Sequence, residues 1–488
     1  MLKDRYGNEL STSSVAARDA YLAGVDSLMA ATPGMDTAFQ AAVTADDGFA
    51  LGHISLARAK QLLGRGHEAK VPLARAKELA AGATAREQSQ IAIFDKILTG
   101  QGVAALEAIH EHMKSWPRDA MALAPATSVF GLIGFSGKVG READQLAILE
   151  PFEKHYGDDW WYRTQLAFAQ IEMGKLGEGQ RNIDMALAAY PKSAHAAHIR
   201  GHLCYEMGER EAGLAFLKDW MKDYSRDGLM HCHNSWHLAL WLMETGRNAE
   251  AWSVYDDALR PGASWGPQIN VATDCPAFLL RAEMAGEERQ PDRWKEIADY
   301  ATKWFGKSAL GFVDMHTALA YAMAGDKATL ATFVESPRGA TADMLPAMAQ
   351  GFEAFADGDW SRAAEEIKPL LDTHERLGGS RAQRDLLEYV VTTSLVRAGR
   401  AAEARELILR AIATAIEGRA RIGHLACCWF LRPILALRAG RAELYRGSRR
   451  VAPQGIDCPE ERGTHARKPA VASLLRKGPG GGRTAFRD

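Results

Sequence analysis

Apolar positions along this chain fall at three- and four-residue intervals, the spacing that lays one stripe along an α-helix, and strand-like alternation is scarce. The apolar runs end again and again in Gly, followed by a polar residue and a new Ala-rich run. Examples are LLGRGHEA at Gly64, EMGKLGEG at Gly174, EMGEREAG at Gly208, ETGRNAEA at Gly246, MAGDKATL at Gly325 and RAGRAAEA at Gly399. With Gly100, Gly137, Gly286, Gly358 and Gly440 added, successive glycines stand 36, 37, 37, 34, 38, 40, 39, 33, 41 and 41 residues apart. A spacing of about 34 to 41 residues suits two helices of three to four turns, a tight turn and a connection. Glycine marks the turn because it tolerates the left-handed backbone at the end of a helix. After the glycine, small or apolar residues recur at +5, +9 and +12: Ala69, Leu73 and Ala76; Ala251, Tyr255 and Ala258; Ala404, Ile408 and Ala411. The pattern predicts helical hairpins, with alanine on the second helix letting the first approach closely. Pro191, 17 residues after Gly174, falls where one repeat would end.

These features resemble the tetratricopeptide repeat: a small residue at the hairpin turn, Ala and aromatic positions on the second helix, and a terminal Pro. Segments outside the generic repeat carry a narrower likeness. LSTSS near residue 10, HCHNSWHLAL at 231–240, DMHTALAYAMAGD at 314–326 and GGSRAQRDLLE at 378–388 together resemble the tetratricopeptide repeat protein 38 family, over roughly residues 8 to 415. The resemblance implies architecture more than chemistry. It has one visible departure: Arg381 stands in GGSRAQRD where the family commonly has His. The expected fold is all-α, a right-handed superhelix of about eleven hairpins continuous over residues 1–440.

Composition narrows the function classes. Lys+Arg 59 against Asp+Glu 61 gives a net charge of -2, no global basis for binding nucleic acid. Forty-seven per cent hydrophobic residues argue for a largely folded chain. MLKDRYGNELSTSS lacks the apolar core of a secretory signal, and no later run reaches the length of a membrane span. The expectation is a cytoplasmic protein with no membrane partner. Six cysteines (Cys204, Cys232, Cys275, Cys427, Cys428, Cys458) form no CxxC pair and read as reduced, mostly core thiols. From Arg441 to Asp488, eleven Lys/Arg face five Asp/Glu in Gly/Pro/Arg-rich sequence with no helical period. That segment reads as a basic disordered tail, with a shifted reading frame or a docking arm as the other readings.

The candidate chemistry lies on the first helices of the middle hairpins. Counting back from the turn glycines, Trp161, His195 and His233 stand at 13, His198 and Trp236 at ten, and His237 and His316 at nine. His198, His202 and Glu206 are spaced i, i+4, i+8, and His233 and His237 i, i+4. On a helix that spacing stacks two imidazoles on one face, as a shared metal requires. There is no HExxH. A third ligand from Asp274, Asp314 or His316 would require the superhelix to curl. Without a metal, His198 or His237 would serve as general base with Asp274 or Glu206 as orienter, beside Trp161, Trp236 and Trp241. The bland reading is a set of histidines bonded between helices. Asp274, two residues before Pro276 and an apolar run, also reads as a helix N-cap, as do Asp158 and Asp159 before Trp160. Gly378 and Gly379 should form a turn seating Gln383, Arg384 and Asp385 on a helix, where Arg384 meets a neighbouring carboxylate or an anionic ligand. No phosphate loop, nucleophile elbow or activated cysteine is present.

Two functions stand at this point. The first is a repeat scaffold whose concave, His/Trp-lined pocket, with Asn234 and Arg384 among its ligand contacts, takes a small organic molecule or a peptide. The second is an enzyme, a hydrolase or lyase for a small molecule, using the histidines as base or as ligands of a divalent metal. A homo-oligomer is compatible with both.

Overall fold

The computed structural model describes residues 1–263, 266–307 and 309–416, with the side chains of 410–416 set aside. The basic segment 441–488 and the hairpin expected at Gly440 lie outside the described residues. A short β-hairpin, β1 (Leu2–Lys3) antiparallel to β2 (Glu9–Leu10), precedes the helices.

Among the described residues, eleven helical hairpins follow. The first four are α1 (Val15–Ala30) with α2 (Met35–Ala45), α3 (Ala50–Leu62) with α4 (Lys70–Leu79), α5 (Ala85–Leu98) with α6 (Gly102–Ser115), and α7 (Ala120–Thr127) with α8 (Arg141–Leu149). The next four are α9 (Trp160–Glu172) with α10 (Leu176–Ala189), α11 (Ala194–Met207) with α12 (Arg210–Trp220), α13 (His231–Glu244) with α14 (Asn248–Val254), and α15 (Gln268–Met284) with α16 (Pro291–Phe305). The last three are α17 (Gly311–Ala324) with α18 (Lys327–Val334), α19 (Leu345–Asp357) with α20 (Trp360–Ile367), and α21 (Arg381–Arg397) with α22 (Ala401–Ile416). The two helices of each hairpin pack together, and most consecutive odd-numbered helices also pack on one another along the array. The chain is an all-α superhelix of tetratricopeptide-like hairpins.

The glycine register is a register of backbone conformation. All ten of its glycines from Gly64 to Gly399 have positive φ, between 71° and 101°. The alanine stripe is buried as expected, with Ala69, Ala76, Ala251, Ala258 and Ala404 all in the core. The register began one hairpin late. The first turn is made by Ala31 (φ 55°), whose N–H caps the end of α1, and Gly34 (φ 98°), so it carries no glycine at the expected place. Gly137 marks a departure of another kind, since 13 residues, not a tight turn, separate α7 from α8. That connection reaches across the superhelix: Phe130 packs on Phe312 with ring centroids 5.5 Å apart, and the Gly137 carbonyl accepts from Arg376 Nε at 3.1 Å.

Such contacts between hairpins five to seven apart close the array on itself. Tyr224 Oη donates to the Ala31 carbonyl at 2.5 Å. Gly64 lies so close to Gln268 that a β-carbon there would meet its amide at 2.2 Å. The last hairpin runs down the inside. Arg141 on α8 donates through Nη2 to the Gly379 carbonyl at 2.6 Å, the Arg381 N–H to Glu172 Oε2 at 3.1 Å, Tyr205 Oη to Asp385 Oδ2 at 2.7 Å, and Arg281 Nη2 to the Ala382 carbonyl at 2.8 Å. A superhelix returns to its own start after a fixed number of repeats, and here α21 fills the groove it encloses. The concave groove is occupied, among the described residues, by the last described hairpin, which leaves an enclosed interior in place of an open face.

Candidate functional site

Four imidazoles meet inside the superhelix. His198 and His202 stand one turn apart on α11, His233 and His237 one turn apart on α13, and the rings of the two helices meet. One ring nitrogen from each lies within 4.8 Å of those of the other three. The residues are 8, 0, 4 and 1 % exposed in that order. The Nε2 atoms of His198 and His202 are 2.9 Å apart, a hydrogen bond that needs one nitrogen protonated and the other not. Across the helices, ring centroids stand 4.7 Å apart for His198–His233 and 4.8 Å for His202–His237. Zinc–nitrogen bonds of about 2.0–2.1 Å place tetrahedral ligand nitrogens about 3.3 Å apart. The observed spread, from 2.9 Å to at most 4.8 Å, brackets that edge.

A second layer of residues orients the rings. Asp274 on α15 sits with Oδ2 2.8 Å from His233 Nδ1, both groups buried, so His233 turns Nε2 inward. Glu172 on α9 lies 3.8 Å from His202 Nδ1, too far for a hydrogen bond, while that ring's Nε2 is held by His198. A carboxylate behind an imidazole is the usual support of a metal-bound histidine, because it fixes the tautomer and raises the donor strength of the inner nitrogen. Trp236 stacks on His233 at 5.4 Å and meets His237 edge-on at 4.9 Å, while Phe168 packs edge-on to His202 at 5.3 Å. Burial is the first cause, and the crowding of imidazoles the second, that pushes His198 well below the ordinary histidine value. Burial holds His202 at about 3. Neutral imidazoles present lone pairs and release no proton on binding a cation.

The sequence candidates divide sharply against this geometry. His198, His202, His233 and His237 converge, and Trp236 forms a wall. Asp274 is not an N-cap: α15 begins six residues earlier, Pro276 lies inside the helix, and the carboxylate points at His233. It stands behind a ligand and does not contribute one to the quartet. Asp159 does cap its helix, accepting from the Tyr162 N–H at 3.0 Å. His316, expected as a third ligand, lies outside the quartet and turns Nδ1 to the Phe312 carbonyl at 2.8 Å. Burial lowers it to about 3. His195, one turn before His198, is half-buried and held near 4 by burial, also outside the quartet. Trp161 belongs to the core of the earlier hairpins, its ring 5.8 Å from Tyr156. Glu206, one turn beyond His202, interacts electrostatically with Arg381. Arg384 does meet a carboxylate, Glu142, but from a hairpin seven places earlier and not from a neighbour. Asn234 is fully buried, and among the described residues neither of its amide atoms has a hydrogen-bond partner; the same holds for the Trp236 indole N–H.

Glu172 was missed by the sequence reading, because it lies on another hairpin and belongs to no histidine motif. A second missed constellation lies in the early hairpins. His112 Nδ1 is 2.9 Å from Ser89 Oγ, and its Nε2 is 3.1 Å from Asp119 Oδ2. The triad-like line is a brace: Asp119 is also ion-paired to Arg86 at 2.6 Å, and Ser89 sits within α5, where the surrounding amides belong to the helix. Cys204, Cys232 and Cys275 are buried and reduced. Among the described residues, no helix is long and apolar enough to cross a membrane.

No known family's sequence profile matches the chain. Among solved structures, the human IFIT1 dimer with m7Gppp-AAAA aligns over 83 % of this chain and 91 % of that one, at 14 % identity and a TM-score of 0.38. The structure of Naa15/Naa10 bound to HypK-THB aligns over 88 % and 68 %, at 13 % identity and a TM-score of 0.22.

Proposed function

We propose that this tetratricopeptide-like protein holds one divalent transition-metal ion in the His198, His202, His233, His237 quartet and uses it on a small organic molecule, as a hydrolase or lyase. The observation that carries the reading is the convergence of four buried ring nitrogens within 4.8 Å, one of the rings held by a carboxylate at 2.8 Å and a second carboxylate 3.8 Å from another. Imidazole donors suit zinc, iron, nickel and copper better than magnesium or calcium. Such an ion supplies a Lewis acid that polarises a carbonyl or lowers the pKa of bound water. The protein's part is to exclude bulk water, to hold the His198 and His202 rings neutral and to present polar groups beside the ion. Asn234 and the Trp236 N–H suit that last role, because each unpaired buried group costs about 1–3 kcal/mol, which a bound ligand would relieve. The likeness to the tetratricopeptide repeat protein 38 family is compatible with this reading and adds no reaction to it.

A rival reading rests on the same four ligands, since a closed tetrahedron is the form of a structural zinc site. Against it stands the core around the quartet. Trp236 and Trp241, 4.9 and 6.0 Å from the His237 ring, are wholly buried there in a large apolar cluster, and a chain with such a core does not depend on an ion to fold. Elemental analysis of untagged protein tests the site: about one equivalent of metal is expected, lost in a His198→Ala, His237→Ala variant of unchanged helicity. Absence of metal from protein expressed with zinc, iron, nickel or copper would end the proposal. Substitution with cobalt(II) separates the two readings. Visible bands that move on adding azide show an exchangeable position, and bands that stay fixed assign the ion to structure.

A further inference from the structure

The four rings of the quartet are at most 8 % exposed, so nothing reaches them without a local opening of the chain. Residues 381–385, the first turn of α21, tie together three of the four helices that build the site. The Arg381 N–H donates to Glu172 Oε2 on α9 at 3.1 Å, Asp385 Oδ2 accepts from Tyr205 Oη on α11 at 2.7 Å, and the Ala382 carbonyl accepts from Arg281 Nη2 on α15 at 2.8 Å. Those helices carry Glu172, His198 with His202, and Asp274. Glu172 is shared between clasp and site. Its Oε2 holds the Arg381 N–H, a first-turn donor with no partner inside its own helix, while its Oε1 lies 3.8 Å from His202 Nδ1. The Glu172 and His202 side chains are at most 1 % exposed, so bulk water and salt screen little of the charge between them. The turn also borders solvent. The side chains of Arg381 and of Glu142, the partner of Arg384, are each 17 % exposed, whereas Leu386, Leu387 and Val390 further along α21 are wholly buried. Local opening is drawn from such polar, sparsely packed turns and stops at the apolar core.

We propose that the first turn of α21 is a clasp over the metal site, coupled to its occupancy through Glu172: the clasp opens to admit the ion and the molecule it acts on, and an ion in the quartet holds it shut. An ion bound on one side of the His202 ring makes the opposite, Nδ1 side more positive and draws the Glu172 carboxylate toward it. No hydrogen bond spans the 3.8 Å between them, so there is room for that approach. A carboxylate so fixed stands at the start of α21, where the free N–H groups of a helix carry a partial positive charge. Arg381 is tied to α11 as well, by the electrostatic attraction of Glu206, one turn beyond His202. Coupling of this kind is reciprocal: the factor by which closure raises metal affinity is the factor by which metal favours closure. Asp274, whose partner among the described residues is His233, stands outside the link.

The coupling rests on the metal reading, and two readouts on the full-length protein keep their failures apart. A chelating dye reports zinc binding and its rate, and backbone hydrogen exchange followed by mass spectrometry reports the opening of 381–385 before and after zinc. Saturating zinc is expected to slow exchange there at least about fivefold, the low end of ordinary coupling between sites. In Glu172→Gln, which keeps the shape and removes the charge, zinc still binds but the slowing should fall below about twofold. In Asp274→Asn, at saturating zinc, the slowing should persist. Tyr205→Phe takes one bond from the clasp, leaves Glu172 and the four rings in place, and should speed exchange at 381–385 and zinc uptake together, by about threefold. It keeps the test decisive if Glu172→Gln does not fold. Zinc bound with exchange at 381–385 unchanged or faster, slowing that survives in Glu172→Gln, or uptake unchanged in Tyr205→Phe would overturn the clasp. No zinc bound in the dye assay would end the metal reading and the coupling with it.

Discussion

Replacing Asp274 by Asn asks whether the quartet is built for a metal or only packed. The carboxylate oxygen lies 2.8 Å from His233 Nδ1, with both side chains at most 5 % exposed. Asparagine keeps an acceptor oxygen of the same size in the same place and removes only the charge. Loss of a partner behind a metal-bound histidine lowers metal affinity by about 10–100-fold, or about 1.4–2.7 kcal/mol. In the metal-free protein the same change should cost less than about 1 kcal/mol, because a weaker hydrogen bond is offset by the end of a buried charge. The assay is competition for zinc against a chelating dye of fixed affinity, beside urea unfolding of the stripped protein. Glu172→Gln supplies the internal scale: at 3.8 Å, beyond hydrogen-bond range, Glu172 acts on His202 through charge alone, and a loss below tenfold is expected. Zinc affinity within threefold of wild type in Asp274→Asn, with the stripped protein destabilised, would refute the reasoning and make the pair a brace.

Three further outcomes follow from the same structure. Burial holds His316 near 3 against 6.5 in the unfolded chain, so below pH 6.5 the unfolded state takes up a proton that the native ring refuses. Stability is then complete above pH 6.5 and falls with pH, by up to about 1.4 kcal/mol per unit from this one ring, and a His316→Leu variant should show a shallower decline in urea midpoint between pH 6.5 and 4.5. Gly213 on α12 leaves room for Trp241, whose ring a β-carbon would approach to 2.8 Å, so Gly213→Ala should lower stability by about 1–3 kcal/mol, read by thermal or urea unfolding. Arg384→Met takes from Glu142 the nearer of two arginines at the inner closure, Arg141 remaining at 3.7 Å, and should cost about 1–3 kcal/mol. The double variant with Glu142→Gln should recover most of that, with hydrogen exchange rising first in α8 and α21 if the pair holds the superhelix shut.

The local grammar of this protein is written in its residues. A glycine that must take positive φ, an alanine that must let a helix approach, and a histidine repeated four residues on each act within one or two turns of chain. Their spacing therefore gave the hairpins and put His198 with His202 and His233 with His237. The first turn escaped because Ala31 does there what glycine does elsewhere. Asp274 was misread for a related reason, since an Asp two residues before a Pro looks the same at a helix start as inside a helix whose start lies six residues earlier. What residue order could not carry was distance across the array. Contacts between hairpins five to seven places apart depend on small rotations summed over every repeat, and no local pattern records that sum. It is the sum that returns α21 to the inside of the superhelix, pairs Arg384 with Glu142 and closes the interior around the histidines. The sequence by itself determined the repeat and the chemical groups each helix presents; only the closed superhelix decided which of those groups meet.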